Sequence, residues 1–203
     1  MTKLQQMMDE INHENGYGVF LMAQMDAVPD TLQFVVATTE YDSQVDGLRD
    51  KRRYLVRCIG VQEHRLSIGM FRSLTLTTDH PLLYETNSLP AGLFFRGQPS
   101  DVHALIVDLF QGYASTFGPW RHLPTYLNTN QPLHDLLSSG GGLLGEMPSE
   151  LAERWEKVLT AHHLEAKVLI GQQPEGTPTV KALLLDDSYV VALDFSVDEL
   201  GKA

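Results

Sequence analysis

The sequence predicts an α+β fold: an antiparallel meander of about six strands covered by helices, with a C-terminal helix and β-hairpin. Three observations carry that prediction. Between residues 17 and 97, short runs rich in β-branched and aromatic residues are separated by turn residues, as in hairpin-linked strands. The long helical periodicities come later, so strands and helices do not alternate as they would in a doubly wound parallel sheet. Near the C-terminus, Asp186-Asp187-Ser188 separates two apolar runs, which is the signature of a tight hairpin turn.

The elements follow in chain order. Leu4, Met7, Met8 and Ile11 stand at helical spacing and Gly16 stops the helix. Residues 17–25 and 32–41 read as strands joined at Pro29-Asp30, and the polar, acidic run 42–50 reads as a surface loop. Residues 54–61 and 66–78 form the next two strands. After the Asp79-His80-Pro81 turn, 82–86 and 91–97 complete the meander. Ser100 is the expected cap of a helix whose Val102, Leu105, Ile106, Leu109, Tyr113 and Phe117 form an apolar stripe, and Gly118-Pro119 ends it. A loop spans 120–130, a short helix follows with Leu133, Leu136 and Leu137 on one side, and Gly140-Gly141-Gly142 reads as a helix stop and flexible connection. Pro148 suits the first turn of a helix with Leu151, Trp155, Val158 and Leu159 on one face, and His162 and His163 lie at its C-terminal end. Strands 166–170, 179–185 and 189–195 close the chain, the last with Tyr189, Val191, Leu193 and Phe195 in one phase. One domain over 1–203 is expected; the alternative is a division into 1–139 and a C-terminal helix-hairpin piece, 146–203, which at that size would be marginal by itself.

The totals exclude several classes. A formal charge of -11 and a pI near 5.0 oppose general binding to nucleic acid or anionic membranes. The only cysteine, Cys58, sits in an apolar strand and reads as a small buried hydrophobe. The N-terminal residues lack a signal peptide's apolar centre, and no uncharged apolar run suffices to cross a bilayer, so a soluble, cytoplasmic protein is expected. The eight histidines lack metal-ligand spacing, and neither a metal nor another cofactor is expected.

The charge is unevenly placed. Seven of the nine arginines fall within 49–97, where eight basic residues face four acidic ones for a net +4. Arginine presents a planar fork of donors suited to carboxylates and phosphates, so this concentration points to an anion. Arg53 and Arg57 share one strand phase, and Arg96 is expected on the last strand of the same meander. Arg72 falls in the apolar phase of Leu66, Ile68, Met70, Leu74 and Leu76, where a guanidinium needs a partner, a ligand or water. Against these stand plainer readings: a solvated outer face for Arg53, Arg57 and Arg96, and for Arg72 an outward bulge or a pair with an acid such as Asp108. Trp120 and Tyr126, in the 120–130 loop, offer stacking surface; the plain alternative is that they close the core.

The preferred functional reading is a non-catalytic module that binds a small anionic ligand or an acidic protein segment through Arg53, Arg57, Arg72 and Arg96, with Trp120 and Tyr126 as neighbours. The enzyme alternative positions a carboxylate or phosphate substrate with the same arginines and transfers a proton through a histidine; His80, Asp108 and His122, near element ends, are its acid/base candidates. A third reading is a protein-interaction module or obligate homodimer, in which the apolar sheet face or the C-terminal hairpin edge is completed by another chain.

Overall fold

A computed structural model describes residues 1–44, 46–121, 126–128 and 130–202, without the side chain of Lys202. Among the described residues the chain gathers into two units, Met1–Asp79 with Pro178–Ala203, and His80–Thr177. Their boundaries lie at 79/80 and 177/178, not in the glycine-rich region near 140.

The first unit is a seven-stranded antiparallel sheet in the order β4-β1-β2-β3-β10-β9-β5. Its strands are β1 (Gly16–Met25), β2 (Thr31–Asp42), β3 (Gly47–Arg65), β4 (Met70–Phe71), β5 (Leu74–Thr77), β9 (Lys181–Leu185) and β10 (Ser188–Lys202), preceded by helix α1 (Lys3–Ile11). β4 and β5 are neighbours in the chain yet occupy opposite edges of the sheet. The sheet therefore curls until its edges approach one another, and Arg72-Ser73 crosses the seam. The Asp186 carboxylate holds that crossing by accepting from the backbone N–H groups of Arg72 at 2.9 Å and Ser73 at 3.0 Å. Tyr54, Val56 and Cys58 point inward and are fully buried with Phe20, Phe34 and Leu183, as the strand's alternation predicts. α1 is tied to this barrel-like sheet from both ends of its last turn. Glu10 accepts from Thr38 Oγ1 at 2.7 Å and from Tyr54 Oη at 3.2 Å and pairs with Arg52, while Asn12 exchanges two hydrogen bonds with the backbone of Leu74.

The second unit contains a three-stranded antiparallel sheet, β7-β6-β8, formed by β6 (Pro90–Arg96), β7 (Gly141–Pro148) and β8 (Glu165–Ile170). With it come α2 (Tyr84–Asn87), α3 (Val102–Phe117), α4 (Leu133–Ser138) and α5 (Ser149–Ala161). Ala91, Leu93 and Phe95 of β6 share one core with Leu105 and Leu109 of α3 and with Leu151, Trp155 and Leu159 of α5. The α3 and α5 stripes are those that helical periodicity predicts, and α3 is capped by Asp101, one residue after Ser100, whose Oδ1 accepts from Ala104 N–H at 3.0 Å.

The α+β class and the antiparallel pairing hold, whereas the single meander of about six strands is replaced by two sheets. The strand carrying Arg96 leaves the arginine-rich sheet and pairs with β7 and β8. Residues 82–86 are helical: His80 Nδ1 caps the 3-10 turn Pro81–Leu83 by accepting from Leu82 N–H, and α2 follows directly. Of the polar run 42–50, Asp42 and residues 47–50 are strand: Asp42 pairs with Gly47 and Glu40 with Arg49, and the Glu40–Lys51 ion pair at 2.6 Å lies beside them. Gly141 and Gly142 belong to β7, not to a flexible link; both have positive φ, and a Cβ on Gly141 would lie 2.9 Å from the Phe95 carbonyl oxygen. In β10 the phase changes, since Val190 and Ala192 enter the core as well as Phe195, with a register shift between Val191 and Ala192.

Candidate functional site

The expected arginines divide between the units. Arg53, Arg57 and Arg72 belong to the first and Arg96 to the second. Arg57 is paired with Asp198, and Arg53 lies 3.9 Å from Asp50. Arg72 is turned outward at the break between β4 and β5, where its Nη2 donates to Tyr17 Oη at 2.6 Å and its guanidinium lies 4.8 Å from the centre of that ring. Three of the four thus meet partners within the protein itself. Trp120 stands edge-on to His80 at 5.1 Å. Tyr126 stacks on Phe117 at 5.0 Å and donates to Glu85 Oε1 at 2.6 Å, so it closes the core while its hydroxyl stays satisfied. Burial first, then the Glu85 hydrogen bond and charge, push the Tyr126 phenol far above its ordinary range. His122 lies outside the described residues.

Asp108 has a different fate. On α3, Asp108, Gln111 and Gly112, and Ser115 recur at the spacing of one helical face, and on α5 so do Arg154, Lys157 and Val158, and Ala161. The two faces meet in a groove of about 470 Å³. Gly112 sets how closely the helices approach: it is buried, and a Cβ there would lie 3.2 Å from Trp155 Cδ1. Trp155 Nε1 then donates to the Leu109 carbonyl oxygen at 2.8 Å, locking α5 against α3 beneath the groove.

The end of α5 places His162 at the rim. Leu164 N–H donates to Leu159 O and His163 N–H to Thr160 O, both at 3.0 Å, while His163 adopts φ 61°. This is a Schellman ending with His163 in the left-handed position, clamped by Leu159 and Leu164 in the core. It holds His162 at the helix cap, with its Nε2 2.7 Å from Asp108 Oδ2. The His162 side chain is 15% exposed and that of Asp108 48%. With a carboxylate as its partner, Nε2 is the nitrogen that carries the proton.

The cations of the groove are the residues that sequence reasoning missed. Among the described residues, neither Arg154 nor Lys157 makes an ion pair, and the one carboxylate on the groove's wall, Asp108, is engaged by His162. The available signal was the spacing of Arg154, Lys157 and Ala161, which runs beside the apolar stripe of α5 and toward His162. Among the described residues, no group of three or more His, Cys, Asp or Glu is arranged to hold a metal ion, and no helix is long and apolar enough to cross a membrane. Comparisons with protein-family models, with curated proteins and with solved structures return no match.

Proposed function

We propose that the groove between α3 and α5 binds a small carboxylate- or phosphate-bearing ligand. The observation that carries this reading is the pair of uncompensated cations, Arg154 and Lys157, on the wall opposite Gln111 and Ser115, with an oriented imidazole at one end. Arg154 supplies a planar fork for two oxygens, Lys157 a mobile point charge, and Asp108 keeps His162 in place. Cations without partners also draw an anion toward this groove against the overall charge of -11, so affinity depends on ionic strength. A native-state ligand raises stability by mass action. Thermal unfolding with phosphate and citrate at fixed ionic strength therefore tests the reading: stabilisation should appear in the wild type and fall by most of its size in Arg154→Ala and Lys157→Ala. Equal stabilisation of the wild type and both variants would refute it.

A second reading rests on the 2.7 Å pair of His162 and Asp108, an arrangement suited to proton transfer on a bound anion. It requires turnover of a nitrophenyl phosphate or ester that His162→Asn abolishes while binding persists.

A further inference from the structure

The other flank of α3 carries a second depression, of about 240 Å³, walled by Ile106, Val107, Phe110, Leu133 and Trp155. Its walls offer a ligand no free polar group, because the Trp155 N–H is already donated to Leu109 O. Val107 and Phe110 are 53% and 54% exposed, so the apolar surface of this depression continues onto the solvent side of α3. Each is the chain neighbour of a groove residue, Val107 of Asp108 and Phe110 of Gln111. The two depressions are therefore separated by the crest of one helix, whose full diameter with side chains is roughly 10–12 Å.

Resting on the groove's reading as an anion site, we infer that its ligand is an amphiphilic carboxylate: the head meets Arg154 and Lys157, and the hydrocarbon chain crosses α3 over Val107 and Phe110 into the apolar pocket. Charge complementarity selects the head and the wholly apolar walls select a hydrocarbon chain. The same head chemistry on an anionic bilayer is disfavoured by the net charge of -11. Free amphiphile is the source that fits.

The experiment is a calorimetric titration of the full chain with acetate, hexanoate and decanoate, the last below its micelle concentration, at fixed ionic strength. Kd should fall with chain length, by about fourfold for each methylene fully buried. Phe110→Ser, at an exposed position that leaves the core intact, should remove most of that gain and leave acetate and phosphate affinity unchanged. The double variant Arg154→Ala with Lys157→Ala should weaken all three ligands. In a Trp120→Phe background, where Trp155 is the one remaining tryptophan, decanoate but not acetate should shift the emission. Decanoate binding no tighter than acetate would overturn this inference and leave the anion site standing. Decanoate binding untouched by the double variant would overturn both. Sedimentation with phosphatidylglycerol vesicles at decanoate concentrations that give no binding would overturn the free-amphiphile assignment.

Discussion

Cys58 lies on β3 opposite Leu32 on one side and Phe195 on the other, with its side chain fully buried. Burial pushes its thiol up to about 12, so the reactive thiolate is scarce at neutral pH and shielded as well. Alkylation of the native protein should be at least about a thousandfold slower than that of free cysteine and should become complete on addition of denaturant, as read by mass spectrometry. Asp186 shows the opposite balance. Burial raises its carboxyl, but the N–H of Arg72 and the hydroxyl and N–H of Ser73 outweigh that and hold it below the usual range. A depressed folded value means that the contribution is complete above the unfolded value near 3.9 and is lost as pH falls through the folded one. Asp186→Asn keeps a residue that tolerates φ 49° but removes the charge. It should cost about 1 kcal/mol near neutrality by urea unfolding, and the gap from wild type should close in acid. The role of Asp186 is not visible in its turn sequence, because its partners lie more than a hundred residues away. The same distance hid the seam that turns Arg72 outward. Local alternation placed Arg72 in an apolar phase; a contact remote in the chain broke the strand there.

Elements differ in how much of their existence is local. α3 and α5 were legible because an apolar stripe at helical spacing is a property of adjacent turns, and the side-chain cap of α3 is encoded within a few residues. β7 was not, since Gly141 and Gly142 carry no strand signature and acquire one only by pairing with Arg96 and Phe95. β4 is the extreme case, held to β1 through only the pairs Gly18↔Phe71 and Val19↔Met70. Gly18 makes room for its partner: a Cβ there would lie 2.2 Å from Phe71 Cζ, so the ring covers the bare glycine backbone. Gly18→Val should expel Phe71 from the core and cost about 2–4 kcal/mol, close to the loss in Phe71→Ala. The double variant should cost clearly less than the sum in chemical denaturation, because both substitutions remove one contact. Additive losses would show that Gly18 serves something other than the ring.

Each unit of the whole molecule has its own apolar cluster, built around Tyr54, Val56 and Cys58 in one and around Leu105, Trp155 and Leu159 in the other. A segment with its own core and its own sheet meets the physical requirements for autonomous folding. His80–Thr177 expressed alone should unfold cooperatively and keep the near-ultraviolet signal of buried Trp155; a non-cooperative transition without that signal would show that the segment needs the rest of the chain. That prediction also bears on the groove, whose walls belong entirely to this unit.

By itself the sequence determined the mixed α+β class, the buried phase of β3 and the β9–β10 hairpin, and it marked Asp108 as a residue to inspect, because periodicity, turn chemistry and charge type are written in neighbouring residues. Tertiary structure alone decided that the strands form two sheets, that three of the four chosen arginines meet partners inside the protein, and that Asp108 meets His162 beside Arg154 and Lys157. Which cation remains uncompensated depends on which carboxylate the fold brings within reach, and that is settled by contacts between residues far apart in the chain.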